Sequence, residues 1–592
     1  MILKELSCLY DRLIKDPRAD MPTPNWSKEK VSWILTIDKD GQLQYVSSAA
    51  IEQGSKAPKV RIMSVPKHTG RSGSAPNPYF LCDSSVYLLG IGDKRAEEKR
   101  MASKQLHETV LQNCDDAAAH AILRFFANDH PLGLLELNDK NPIGAGFLVF
   151  MLLGDSVFLH QREPIRQAWE DYNHASNNDA VIGQCGITGE RTSMARLFPL
   201  ITGLPGAQTS GASLVSYNFK SAESYGKEQA YNASISESVA NKAGEALKYL
   251  AGEKNNRSHI GGNTIVFWTE KPMSEENALI AKLFEADLDF DAMDQELVNK
   301  IKEAYELMRA GQALTGFDTT TNYYSMCLAP NAARLAVRFF EQGTLGDLAG
   351  NYGRYLSDIE MIDVTTVSPF VLLRQTALMN EDDKIPSTII NPFMAAVYKG
   401  TDFPRSVGTL LLSRMRSDHG LNKAWDMGQR AALMKGLLVR RARQLGTVLT
   451  KESEIDMALS RECTNEGYLL GRLFAVMKHA QSAAIGNTNA TIQDRYMGSA
   501  SSTPRRVFQP LMKGFSTHIG TLRKKRPGIA VRYEKEAGEI IDMLSGDEQI
   551  PATLSDDDQL SFFIGFYQED RELWKKSSNS DEETLDELED EN

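Results

Sequence analysis

The stretch YYSMCLAPNAARLAVRFF, residues 323–340, is where the sequence changes character. Its first half, YYSMCLA, is an aromatic and apolar run of strand type. In its second half Asn331 stands as a candidate N-cap, and the spacing that follows reads as the opening of a helix. Before this stretch, strand-like and helical runs alternate. After it, helical patterns follow one another to about residue 574. The expected fold class is multidomain, a mixed α+β N-terminal region followed by an all-α C-terminal helical bundle. A chain of 592 residues needs more than one hydrophobic core. The divisions expected are an α+β domain over 1–365, a helical connecting region over 366–476, a helical bundle over 477–576 and an acidic disordered tail over 577–592.

Upstream, Ile2, Leu3, Leu6, Tyr10 and Leu13 share one helical face. VSWILTID and LQYVSS flank Lys39-Asp40-Gly41 and predict a hairpin. Further strand-like runs are VRIMSV, YFLCD, VYLLGIG, DAVIGQCGIT, ASLVSYN and NTIVFWTE, with helical runs at 93–114, 162–173, 234–250 and 293–310. Downstream, helices are expected at 367–380, 387–399, 405–417, 422–446, 465–482, 504–522, 530–545 and 557–575.

The formal net charge of −12 argues, taken whole, against a nucleic-acid binder. Charge acts locally, however, and the acidity is concentrated: residues 581–592 hold eight acids and no base. By contrast 53–82 holds five bases and no acid, 403–450 nine bases against Asp418 and Asp426, and 478–533 ten bases against Asp494. An N-terminus with Glu5 and Asp11 in the place of an apolar core is no secretory signal. The longest apolar run, 143–154, is too short for a membrane span, so no membrane association is expected. Six scattered cysteines with no CxxC pair predict free thiols and a cytoplasmic protein.

Signs of catalysis are missing. The sequence has no GxxxxGK[ST] loop, HExxH or GxSxG, and its ten histidines are dispersed, so no catalytic residue, metal site or cofactor is expected and the chain reads as not an enzyme. Three stretches suit nucleic acid instead. The loop 67–79 is rich in glycine and serine and carries Lys67, Arg71, Ser72 and Asn77. The polar stretch 200–232 carries Gln208, Thr209, Ser210, Asn218, Lys220 and Lys227, with Tyr217, Phe219, Tyr225 and Tyr231 able to stack on bases. The basic helical region carries Arg495, Arg505, Arg506, Lys513, Arg523, Lys524, Lys525 and Arg526, to which Arg440 and Arg441 of the preceding basic stretch are added as strand or phosphate contacts. There GSASSTPRR reads as a helix N-terminus with Thr503 as cap and Pro504 in the first position, a setting that favours a phosphate.

Several stretches, among them RSGSAPNPYFLCDSSVYLLG, GAQTSGASLVSYN followed six residues later by YGKEQ, LAPNAARLAVRFF and NATIQDRYMGSASSTP, resemble the large subunit of the type I-C CRISPR interference complex (Cascade). The similarity runs in order from the N-terminus to about residue 575. It implies a non-catalytic, DNA- and RNA-binding subunit of an RNA-guided antiviral complex. The N-terminal part would recognise the protospacer-adjacent motif (PAM) in double-stranded DNA, promote R-loop formation and help to recruit a helicase-nuclease. Implied partners are the guide RNA (crRNA), the target duplex, a repeated backbone subunit, a guide-processing subunit and small subunits made from an internal start, here Met457 or Met477. The 67–79 and 208–232 loops are then the candidate motif readers. The alternatives are a guide-processing ribonuclease using His68, His120 or His518, and a pure RNA-binding scaffold.

Overall fold

The strand Trp26–Ile37 organises the N-terminal part. It pairs antiparallel with Leu43–Ser48 and with Arg61–Pro66, and parallel with Phe147–Leu152, which in turn carries Cys82–Asp83 on its other side. The expected turn is there: Gly41 has φ +76, and a Cβ on it would lie 2.4 Å from the backbone nitrogen of Phe125, so only glycine fits. Helices Ala96–Leu111, Ala117–Ala127 and Glu163–Ser176 supply a core with Phe80, Phe125, Phe150 and Trp169. The computed structural model describes residues 1–53, 56–59, 61–67, 71, 75–92, 94–128, 146–176, 180–260, 262–271, 303–304, 306–308, 310–312, 318–365, 368–381, 384–418, 424–447, 455–486, 490–544 and 550–589. The helix expected at 293–310 falls largely outside them.

Backbone proximity divides the chain into two units, Met1–Gly252 with Pro330–Ala336, and Glu253–Ala329 with Val337–Asn592. The stretch 323–340 is a hairpin, Asn322–Asn331 followed by Arg334–Thr344, with Ala332 at φ +53 in its turn. The helix expected to start at Asn331 is therefore a strand. Its alanines favoured a helix locally, but Leu335 and Phe339 face inward in an alternation that suits a sheet beside the buried strand Asn322–Asn331. VYLLGIG is likewise corrected: Ser85–Leu88 is a single helical turn, ended by Gly90 and Gly92 at positive φ.

From Leu345 onward the second unit is mostly helical. Helix Glu466–Ile485 runs against helix Asp556–Glu589 at close range. A Cβ on Gly471 would lie 1.9 Å from the Phe562 carbonyl oxygen, so the crossing requires glycine there. Beside it a buried network forms: Arg472 donates to Glu569 at 2.9 Å and to Glu536 at 3.2 Å, and Arg461 pairs with Glu536 at 2.9 Å. The last helix spans Asp556–Glu589. No glycine or proline interrupts it after Gly565, and its packed half provides the nucleus from which helix propagates. Among the described residues, no helix is long and apolar enough to cross a membrane.

Candidate nucleic-acid interface

In the first unit, Arg71 is held by contacts within the fold. The Arg71 guanidinium lies 3.9 Å from the ring centre of Tyr79 and 3.8 Å from that of Tyr87. It donates to both carboxylate oxygens of Asp83, at 2.5 and 2.6 Å, and to the Asn77 carbonyl at 3.0 Å. Asp83 is fully buried and also accepts the N–H groups of Tyr79 and Ser84. Burial raises the Asp83 pKa and Arg71 opposes that rise. A buried carboxylate needs such a partner, and Arg71 serves the fold as that partner of Asp83. Lys67 is similarly turned inward, 3.6 Å from Glu237. Asn77 donates its N–H to the Tyr87 hydroxyl at 3.2 Å and is half-buried. Ser72 and His68 lie outside the described residues.

The second loop keeps its polar groups in solvent. Strands Leu200–Ile201 and Ala212–Ser213 close it, with Gly203, Gly206 and Gly211 at positive φ. Gln208, Thr209 and Ser210 at its tip are exposed, as are Asn218, Lys220 and Lys227. The hairpin tip braces this loop: Gln208 N–H donates to the Ala332 carbonyl at 3.2 Å and Ser213 N–H to that of Ala333 at 2.9 Å. Arg334 donates to the Asn218 side chain and stands 5.2 Å over the Phe219 ring. Arg334 was not among the residues expected here. It was hidden by the helical reading of 331–340, which would have placed it on a helix rather than beside a loop over a hundred residues earlier.

In the second unit, Arg440 is only 1% exposed, pairs with Asp358 at 2.8 Å and donates to the Ala396 and Thr401 carbonyls. Its hydrogen-bonding capacity is thus directed at the interior of the fold. Arg441 pairs with Asp557, beside a cavity also lined by Arg405, Thr409 and Ser555. The basic face that remains in solvent belongs to helices Ile492–Ser502 and Pro504–Lys525 and the turn after them. Arg495, Arg505, Arg506, Lys513, Lys524, Lys525 and Arg526 are all exposed, and no ion pair holds them among the described residues. Arg523 is exposed but pairs with Glu534 at 2.5 Å. Arg505 Nε donates to the Ile550 carbonyl at 2.7 Å. Val507, Phe508, Leu511, Phe515, Ile519 and Leu522 bury the opposite face.

Arg506, Lys513 and Lys524 are seven and eleven residues apart, close to two and three whole turns, so they form one line along the helix. Pro504 takes the first helical position as expected, but the Thr503 hydroxyl donates back to the Ser499 carbonyl at 3.2 Å instead of capping. Of the histidines weighed for ribonuclease chemistry, His120 is exposed on helix Ala117–Ala127 and His518 is half-buried. The buried His107 and His160 are held by burial near pKa 4 and are packing residues.

A search of curated proteins finds no match to this chain. A family model, described as CRISPR-associated protein (Cas_Csd1), matches residues 6–574. With nearly its whole length covered, and in keeping with the resemblance carried by its motifs, the chain belongs to the Cas_Csd1 family of CRISPR-associated proteins.

Proposed function

We propose that this chain is the non-catalytic large subunit of a type I-C surveillance complex, which reads the protospacer-adjacent motif in duplex DNA, promotes R-loop formation and helps to recruit a helicase-nuclease. The observation that carries this reading is the row of exposed bases from Arg495 to Arg526, of which only Arg523 is held in an ion pair among the described residues, backed by a packed apolar face. Such a surface suits a phosphate backbone, which attracts cations without regard to base sequence. Guide pairing carries the sequence, so the protein needs only a short-motif reader, for which the exposed Gln208–Ser210 tip, Asn218, Lys220 and Lys227 are the candidates. Lys67 and Arg71 would support the neighbouring loop rather than touch DNA.

The guide RNA, backbone and guide-processing subunits belong to the same proposal, as do small subunits from an internal start. Between the two starts, burial favours Met457. Met477 lies buried inside helix Glu466–Ile485, and a product beginning there would lack Tyr468 and Arg472, leaving the fully buried Glu569 without its arginine. The 457–592 product is expected to be helical and soluble and the 477–592 product to be unfolded or aggregated, as circular dichroism of the two would read. The test of the main reading is binding of the guide-loaded complex to target duplexes with and without the adjacent motif. Strong loss without the motif is expected, and equal binding overturns the reader role.

A further inference from the structure

The loop 217–232 contains four aromatic residues, and the structure separates them. Tyr217 and Tyr231 pack against the cluster of Cys185, Met194, Phe198 and Ile235. Phe219 lies under the Arg334 guanidinium. Tyr225 is 98% exposed, the most exposed of the large apolar and aromatic side chains described.

That exposure is built rather than incidental. Tyr225 has φ +54, a conformation that bulky L-residues rarely adopt, and Gln229 at +49 and Ser234 at +51 follow it within nine residues. Asn232 braces the loop from inside. Its Oδ1 accepts the Ser224 N–H at 3.0 Å, and its Nδ2 donates to the carbonyls of Lys227 at 2.7 Å and Gln229 at 2.9 Å. Glu223 accepts the Gln229 N–H at 3.1 Å, which closes the other side. Strained backbone held by surrounding hydrogen bonds clusters at ligand clamps.

We propose that Tyr225 is a stacking platform for a nucleobase that leaves the duplex beside the recognised motif. The nearby charges balance, Lys220 and Lys227 against Glu223 and Glu228, so what the tip offers is a ring face rather than a field. A protein-docking aromatic normally sits inside an apolar patch. Tyr225 is flanked along the chain by the exposed Ser224, Gly226 and Lys227 instead, and a ring set among such residues suits an unstacked base. This inference rests on the DNA-recognition reading above.

The test uses the guide-loaded complex and a motif-bearing duplex with 2-aminopurine at the first positions beside the motif. Tyr225→Ala is expected to weaken binding by about 5- to 100-fold and to brighten the 2-aminopurine, while Tyr225→Phe stays within about twofold of the parent, because the ring and not the hydroxyl stacks. Thermal unfolding of both variants should match the parent, since an exposed ring contributes no packing. Parent-like binding and fluorescence for Tyr225→Ala overturns the proposal. So does a variant that loses other subunits while retaining DNA binding, because the ring then docks on protein. A parent complex that ignores the motif overturns the DNA-recognition reading itself, which distinguishes the two failures.

Discussion

Two basic stretches of the second unit are nearly alike in charge and differ in how many of their bases the fold itself engages. Residues 403–450 hold nine bases and 478–533 hold ten. In the first, Arg430 pairs with Asp418, Arg440 and Arg443 share Asp358, and Lys435 donates to the carbonyls of Ser357 and Glu360. Arg430, Lys435 and Arg440 are buried. In the second, seven bases from Arg495 to Arg526 remain in solvent with no acid on them among the described residues. A run of positive charge is thus not by itself a binding surface. What matters is whether the fold supplies acids and carbonyls to meet it. The same contrast appears in the first unit, where Arg71 is held by Asp83 while Lys220 and Lys227 stay exposed.

The comparison breaks first at Arg440. Arg440→Gln leaves the buried Asp358 with Arg443 alone, and removal of one partner from a buried pair costs about 3–5 kcal/mol. The unfolding midpoint of the helical unit should fall sharply, while the folded fraction binds DNA as before. An unchanged midpoint with lost DNA affinity would reverse the assignment.

A second expectation concerns pH. Burial pushes the Glu569 carboxyl up to about 7, against the pull of Arg472. With the folded value raised, its contribution to stability is whole below the unfolded Glu value and is lost as pH rises through about 7. Glu569→Gln lacks that dependence. Its midpoint relative to the parent should therefore climb between about pH 5 and about pH 8, and a difference that stays flat contradicts it.

Arg441 is the intermediate case, partly exposed and paired with Asp557. Arg441→Gln should cost no more than about 1 kcal/mol in denaturant unfolding, and a loss as large as that of Arg440→Gln would erase the distinction between edge and interior pairs.

The layout was legible where periodicity and packing agree. Helix Arg405–Ser417 and the hairpin around Gly41 lie where spacing put them. The 331–340 strand was not legible, because its partner is the strand before it and Ala332-Ala333 favours a helix when read alone. Helices Leu345–Ile359 and Ile492–Ser502 each begin with a capping box, Thr344 with Asp347 and Thr491 with Asp494. Those caps are readable signals. At the candidate interface, residue type identified the loops and the basic helix. It could not separate Arg440 from Arg506, because Asp358 lies 82 residues from Arg440 in sequence. Nor could it single out Tyr225 among four aromatics, since exposure is a property of the fold.

The exposed line of Arg506, Lys513 and Lys524 is expected to track a phosphate backbone, and the buried Arg430, Lys435 and Arg440 are not. This expectation is tested most directly by the salt dependence of target binding by the guide-loaded complex carrying Arg506→Gln, Lys513→Gln and Lys524→Gln together. Each lost phosphate contact removes about 0.7–0.9 from the slope of log affinity against log salt, so the triple variant should be shallower by about 2–3 with an unchanged unfolding midpoint. A slope equal to that of the parent would contradict the account.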